Sequence, residues 1–184
     1  MELGGKAGGI LVETLGEPLV LIPLRGIHGK DAHGRQRYAM VEQSDYAIAA
    51  DRPWRAQRGR AGQGFYAESG KACLRLHRLL LGLASSDGRL RQGDHANGVT
   101  LDNRRSNLRP ATPQQNGRNR PLRRDNQARL KGVRREHARW LARIRDASGR
   151  LRRLGLFDTP EAAAHAYDKA ARQLHGAFAR TNYA

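Results

Sequence analysis

The chain has 184 residues, a formal net charge of +17, a pI of about 11.4 and a mean hydropathy of -0.74. That length suits one mid-sized domain or two to three small modules, each with a modest core. The basic excess is nearly all arginine, whose planar fork suits phosphates and base edges, so a polyanionic partner is expected. Membrane insertion is excluded as a reading, since no apolar run approaches the roughly twenty residues of a span. The single cysteine, Cys73, excludes an internal disulfide and every zinc arrangement that needs two or more cysteines, leaving Asp, Asn and His as metal donors.

In chain order, the opening MELGGKAGGILVET lacks a basic start followed by an apolar stretch; a secretory leader is not expected, and a cytoplasmic, nucleoid-associated location is. Residues 3 to 9 are glycine-rich and expected to fray. The apolar run Leu19 to Leu24 reads as a strand bounded by Pro18 and Gly26, and Tyr38 to Glu42 reads as a second. DRPWRAQRGRAGQG, residues 51 to 64, reads as a basic loop around one large anchor, Trp54, before GFYAESGKACLRLHRLLLGL resumes apolar alternation. Residues 1–70 form a small β-rich accessory module on this reading.

From 85 to 110 the chain is polar and turn-rich, with SSDG and then GDHANGVTLDNRRSNLRP, and loops of that length are uncommon unless functional or disordered. Thr112, Pro113 and Gln115 mark a helix start, which places Asn116 in the first turn and runs to about Arg120 before Pro121. PLRRDNQAR, residues 121–129, reads as a basic linker. In RWLARIRD, Trp140, Ala142 and Ile144 alternate with arginine, the period of a strand with one buried face, with Trp140 core rather than base-stacking. KGVRRE and LRRLGLF supply two further short strands around a turn at 146 to 149, making a three-stranded antiparallel sheet. Thr159 caps and Pro160 opens a helix on which Ala163, Tyr167, Ala170 and Leu174 recur at helical spacing, ending before Gly176.

The segment LHRLLLGL with GDHANGVTLDNRRSNLRPATPQQN, residues 77 to 119, resembles the HNH (His-Me finger) homing endonucleases common in phages. The resemblance implies a ββα-metal core spanning residues 71–120, with Asp94 and Asn116 as metal ligands, His95 as general base and Asn107 as the loop-bracing residue; His77 reads either as site support, touching phosphate or buttressing the metal, or as a packed structural histidine. Hard oxygen donors of this kind suit magnesium, with manganese as the substitute, and disfavour zinc. The implied enzyme is an HNH DNA endonuclease, a phosphodiester hydrolase that nicks or cuts a specific site. Gly93 and Ala96 stand where that family has larger apolar residues, so the hairpin is expected to pack loosely. Other histidines, namely His28, His33, His137, His165 and His175, carry no pattern and read as surface residues.

The stretch 130–184, with GVR, W-x-A-x-IRD, LG-x-FDTPEAAA, AYDKAAR and a closing asparagine-aromatic pair, resembles the DNA-binding domain of plant ethylene-response factors (the APETALA type). The resemblance implies that the sheet enters the major groove of double-stranded DNA through Lys131, Arg134, Arg139, Arg145 and Arg153, with Tyr167 either a backbone contact or core. Arg153 stands where plant members have tryptophan and Leu151 where they have arginine, so their site preference does not transfer. The whole is thus an α+β protein: β-rich N-terminal module, ββα-metal core, and a three-stranded antiparallel sheet packed on one helix. It is expected to act as a monomer without small-molecule cofactor. The alternative is a non-catalytic, sequence-specific DNA-binding protein or transcription regulator. An RNA-binding role ranks last, because aromatic residues make up only 5% of the chain and single-strand recognition leans on stacking.

Overall fold

A computed structural model describes residues 1–59, 64–83, 90–122 and 125–183, which fall into two compact units, Met1–Thr112 and Pro113–Ala184. The SSDG turn at 85–88 and residues 123 and 124 of the basic linker lie outside the described residues. Among the described residues, no helix is long and apolar enough to cross a membrane.

In the first unit, β1 (Glu2–Leu3), β2 (Gly9–Val12), β3 (Leu19–Pro23) and β4 (Tyr38–Glu42) pair in chain order as an antiparallel sheet. Alternation sets its faces: Val20, Ile22, Ala39 and Val41 are fully buried, while Leu19, Leu21 and Met40 are half-buried on the other side. After α1 (Tyr46–Ala50), β5 (Arg55–Arg58), β6 (Phe65–Ser69) and β7 (Leu74–Arg75) form a second antiparallel sheet. Next come α2 (Leu76–Leu80) and a two-stranded hairpin of β8 (Gln92–His95) and β9 (Leu108–Ala111).

Three expectations change here. Residues 3 to 9 do not fray: the Ala7 amide donates to the Ala50 carbonyl at 3.1 Å, the Tyr46 hydroxyl donates to the Gly4 carbonyl at 2.6 Å, and Ala7 is buried. Residues 55 to 58 are a strand rather than loop, because β6 pairs with them residue for residue; a sequence of Arg, Ala and Gln has little strand propensity of its own. Finally, the boundary drawn at residue 70 crosses one continuous core, in which Val20, Ile22, Val41 and Trp54 pack with Leu76, Leu80 and Leu108. The Trp54 indole donates to the Ala49 carbonyl at 2.9 Å, so its one polar atom is satisfied inside that core.

The second unit begins with α3 (Pro113–Arg118) and continues through β10 (Val133–Glu136), β11 (Arg139–Arg145), β12 (Leu151–Phe157) and α4 (Pro160–His175). The strands pair antiparallel in the order β10-β11-β12. Thr159 accepts a hydrogen bond from the Ala162 amide at 3.2 Å with Pro160 following it, which satisfies one orphan donor of the first turn of α4. That helix presents Ala163, Ala164, Tyr167, Ala170 and Ala171 to the sheet, and the short alanines let it lie close to Val133, Ala142 and Ile144.

Gly132, just before β10, is where this packing is tightest. Its φ is +76°, and a Cβ there would come within 2.0 Å of the Tyr167 ring. Gly132→Ala combines a left-handed backbone cost with overpacking and is expected to destabilise the unit by roughly 2 to 4 kcal/mol. A thermal melt followed through Trp140 checks this; an unchanged midpoint would show that the ring moves aside freely.

Candidate nucleic-acid interface

The cross-strand register decides which side chains share a face. Val133 pairs with Ala142 and Ala142 with Gly155, all toward α4, while Arg134 pairs with Leu141 and Leu141 with Leu156 on the opposite side. Between Ala142 and Arg143 the register shifts: Ala142 opposes Gly155 but Arg143 opposes Arg153, so Leu154 is an extra residue, a bulge in β12. The bulge keeps Leu154 and Phe157 both on the helix side, where they pack against the core, and leaves Arg153 and Leu151 on the open side. The open face therefore carries Arg134, Arg139, Arg143, Arg145 and Arg153, with Glu136, Leu141, Leu151 and Leu156 among them.

Carboxylates align part of this array. One oxygen of Glu136 accepts from Arg134 at 2.7 Å and the other from Arg153 at 2.6 Å, so a single side chain holds guanidinium groups from two strands. Arg139 pairs with Asp158 at 3.0 Å, and both are exposed. Such exposed pairs add little stability, but they restrict arginine rotamers before a partner arrives. Arg145 donates to the Gly149 carbonyl at 2.9 Å across the hairpin turn. Among the described residues, Arg143 and Arg145 have no carboxylate partner, so their charge is the least offset on the face.

Of the named DNA contacts, Lys131 points elsewhere, and Tyr167 takes the core alternative of its two readings. The Lys131 ammonium donates to the carbonyls of Arg118 and Arg120, at and beyond the end of α3, and burial pushes its pKa down to about 8 with Arg180 adding repulsion. Tyr167 is 4% exposed, packed on Ile144, and burial raises its phenol to about 12; it serves the core rather than the surface. His175 is likewise not a surface residue: it is buried, and its Nε2 lies 2.8 Å from the Arg145 carbonyl, tying the end of α4 to β11. Trp140 is half-buried against the helix-side core, with the Arg135 guanidinium 5.4 Å from its ring centroid.

The closing asparagine-aromatic pair is a fastener. Buried Asp168 accepts from the Asn182 amide at 2.8 Å, the Asn182 side chain at 2.9 Å and the Tyr183 amide at 2.9 Å. Asn182 in turn accepts from the Lys131 amide at 2.5 Å and donates to the Lys131 carbonyl at 3.1 Å. The chain end is thereby stitched to the start of β10.

In the first unit, Asp94 and Arg109 are cross-strand partners on β8 and β9, joined at 2.7 Å with Asp94 buried. His95 is buried with Nε2 3.4 Å from Asn103 Oδ1, and the His77 ring meets it edge-on at 4.9 Å. Asn107 accepts from the Asn97 amide at 2.9 Å and donates to the Asp102 carbonyl at 2.8 Å, bracing the loop between the strands. Gly93 does not loosen the hairpin, since a Cβ there would come within 2.4 Å of the His77 ring; the missing side chain makes room for an imidazole. Asn116 stands on α3, which belongs to the second unit, whereas Asp94 and His95 belong to the first. Among the described residues, no group of three or more His, Cys, Asp or Glu side chains could hold a metal ion.

No family model matches the chain. It is similar to ethylene-responsive transcription factor ERF084 of Arabidopsis thaliana, 59% identical over 54 residues, which is 28% of this chain and 21% of that protein. Ethylene-responsive transcription factor RAP2-11 of the same plant is 46% identical over 61 residues, 32% of this chain and 24% of its own length. Dehydration-responsive element-binding protein 2A of Oryza sativa subsp. japonica is 50% identical over 56 residues, 29% of this chain and 20% of its own length. The chain thus spans about a fifth to a quarter of the relatives it matches. These findings overturn the reading of the protein as an HNH endonuclease: the relatives are named as transcription factors, not hydrolases.

Burial pushes His77 well below the ordinary imidazole pKa, with His95, Arg75 and Arg78 adding repulsion. It also lowers His95, against opposing pulls from Asn103, Asp94 and Asp102. Below about pH 6.5 the unfolded chain takes up protons that these buried rings exclude, so stability present above that pH is lost as it falls. Denaturant midpoints followed through Trp54 are expected to drop between pH 7.5 and 5, with a shallower slope in His77→Asn. A flat profile in the unaltered protein would contradict the buried pair.

Proposed function

We propose that this protein is a sequence-specific double-stranded DNA-binding regulator whose second unit lays the open face of β10-β11-β12 in the major groove. The observation that carries the reading is the segregation of Arg134, Arg139, Arg143, Arg145 and Arg153 onto the face that α4 leaves uncovered. Strands about 4.8 Å apart make a three-stranded ribbon roughly 10 Å across, close to the roughly 12 Å width of the groove. A guanidinium can pair bidentately with guanine O6 and N7, and those not over a base neutralise phosphates. Similarity to the ethylene-responsive and dehydration-responsive element-binding proteins supports the same role.

In this reading Arg143 and Arg145 make the base contacts, because among the described residues no carboxylate pairs with them. Arg134 and Arg153, held by Glu136, are oriented for phosphate or guanine. Lys131, Tyr167 and the Asp168 fastener act behind the face, as supports. Binding draws on counterion release, so affinity should fall steeply with added salt, the slope growing by about 0.9 for each phosphate neutralised.

Fluorescence anisotropy on duplexes selected from a randomised library tests this. Arg145→Ala is expected to weaken the selected duplex by roughly 1 to 3 kcal/mol and to relax preference at one base pair. Equal weakening on every sequence would make Arg145 a phosphate contact, and a salt-independent affinity would remove the arginine face from the interface.

A further inference from the structure

Among the described residues of the second unit, the exposed large apolar side chains are Leu151, at 48%, and Leu156, at 38%. Both stand on the arginine face of the edge strand β12, not on the helix side. Leu151 is the cross-strand partner of Arg145, and Leu156 that of Leu141. Leu156 has an apolar neighbour to cover: Leu141, on the same face, is almost fully buried. Leu151 has an arginine opposite it, and Arg153 two residues on points to the same side. Its exposure therefore has no packing explanation within the sheet.

In the major groove, donors and acceptors line the base edges, and the one apolar group presented there is the C5-methyl of thymine. A leucine between groove-facing arginines matches that methyl group better than any donor or acceptor on the base edges. We infer that Leu151 reads a thymine C5-methyl beside the base pair read by Arg145. Directly opposed side chains on a sheet have Cβ atoms about 5 Å apart, and base pairs rise about 3.4 Å, so the thymine lies one or two steps from the Arg145 contact. The site is accordingly mixed, with a guanine and a thymine within two steps of each other, rather than an uninterrupted G·C run. This inference rests on the proposed docking of the open face in DNA.

The test uses the full chain and the duplex it selects from a randomised library, with each thymine replaced singly by deoxyuridine, which deletes the methyl group alone. Burying one methyl-sized group is worth about 0.8 kcal/mol, so one replacement should weaken the unaltered protein about fourfold. Leu151→Ala should lose about the same on the thymine duplex and show no further loss on the deoxyuridine one, the signature of direct coupling. Leu156→Ala should keep the deoxyuridine sensitivity. Circular dichroism shows whether each variant is folded, and a change of an exposed side chain should leave the spectrum intact.

Tight binding with indifference to deoxyuridine at every position overturns the inference while leaving the DNA-binding reading in place. Undiminished sensitivity in Leu151→Ala does the same. Selection of no duplex at all overturns the DNA-binding reading, and the inference with it. Dissociation of a self-associated form by Leu151→Ala, without any deoxyuridine effect, would assign the leucine to a contact between copies of this chain and also overturn the inference.

Discussion

The arginine face exists because α4 lies across the other side of a three-stranded sheet. Strands this short cannot stand alone in water, and a sheet needs one covered face to be stable. Alanines at the contact points of α4 bring the helix close, and Gly132 clears the space the Tyr167 ring requires. Asp168 then gathers the backbone of Asn182 and Tyr183, and Asn182 gathers that of Lys131, so the chain end locks the entry to the first strand. With the helix packed on one side, the other side is left mostly for charge. Net repulsion among its guanidinium groups is tempered by Glu136, which serves two of them at once.

The first unit shows how a pattern that suggests chemistry can be built by structural demands. A hairpin joined by a long polar loop must satisfy its own backbone groups, and Asn97, Asp102, Asn103 and Asn107 do so through short-range hydrogen bonds. Arg105 extends that network to the turn after β4, donating from its backbone to Glu42 at 2.8 Å and from its side chain to Asp45 at 2.8 Å. His77 fills the space over Gly93, its ring edge-on to His95, and both imidazoles lie beside Tyr66. Asp94, buried on a strand, is balanced by its cross-strand arginine, as a buried carboxylate must be.

Local periodicity was readable wherever one face is buried. Leu19 to Leu24 and Tyr38 to Glu42 read as strands, and the strands are Leu19–Pro23 and Tyr38–Glu42. The arginine alternation from 139 to 145 reads as a strand, and Thr159 with Pro160 reads as a helix start; both elements stand where the pattern puts them. Arg55–Arg58 escaped notice because small and charged residues become a strand only when β6 is beside them. Lys131 and His175 were misplaced for a related reason. Each has a polar tip that suggests the surface, and each is drawn inward by partners beyond its own element, at Arg118 and Arg145.

The amino-acid sequence by itself determined the charge, the period of each strand, the helix cap and the concentration of arginine on alternate positions of β11, because all of these depend on neighbours within a few residues. Tertiary structure alone decided the rest. It set the bulge at Leu154 that keeps Arg153 on the open side, the Glu136 bridge between strands, the fastening of the chain end by Asp168, and the division at Thr112 rather than at residue 70. Each of these is a contact between groups whose separation along the chain carries no local signal, and only burial of a shared core brings them together.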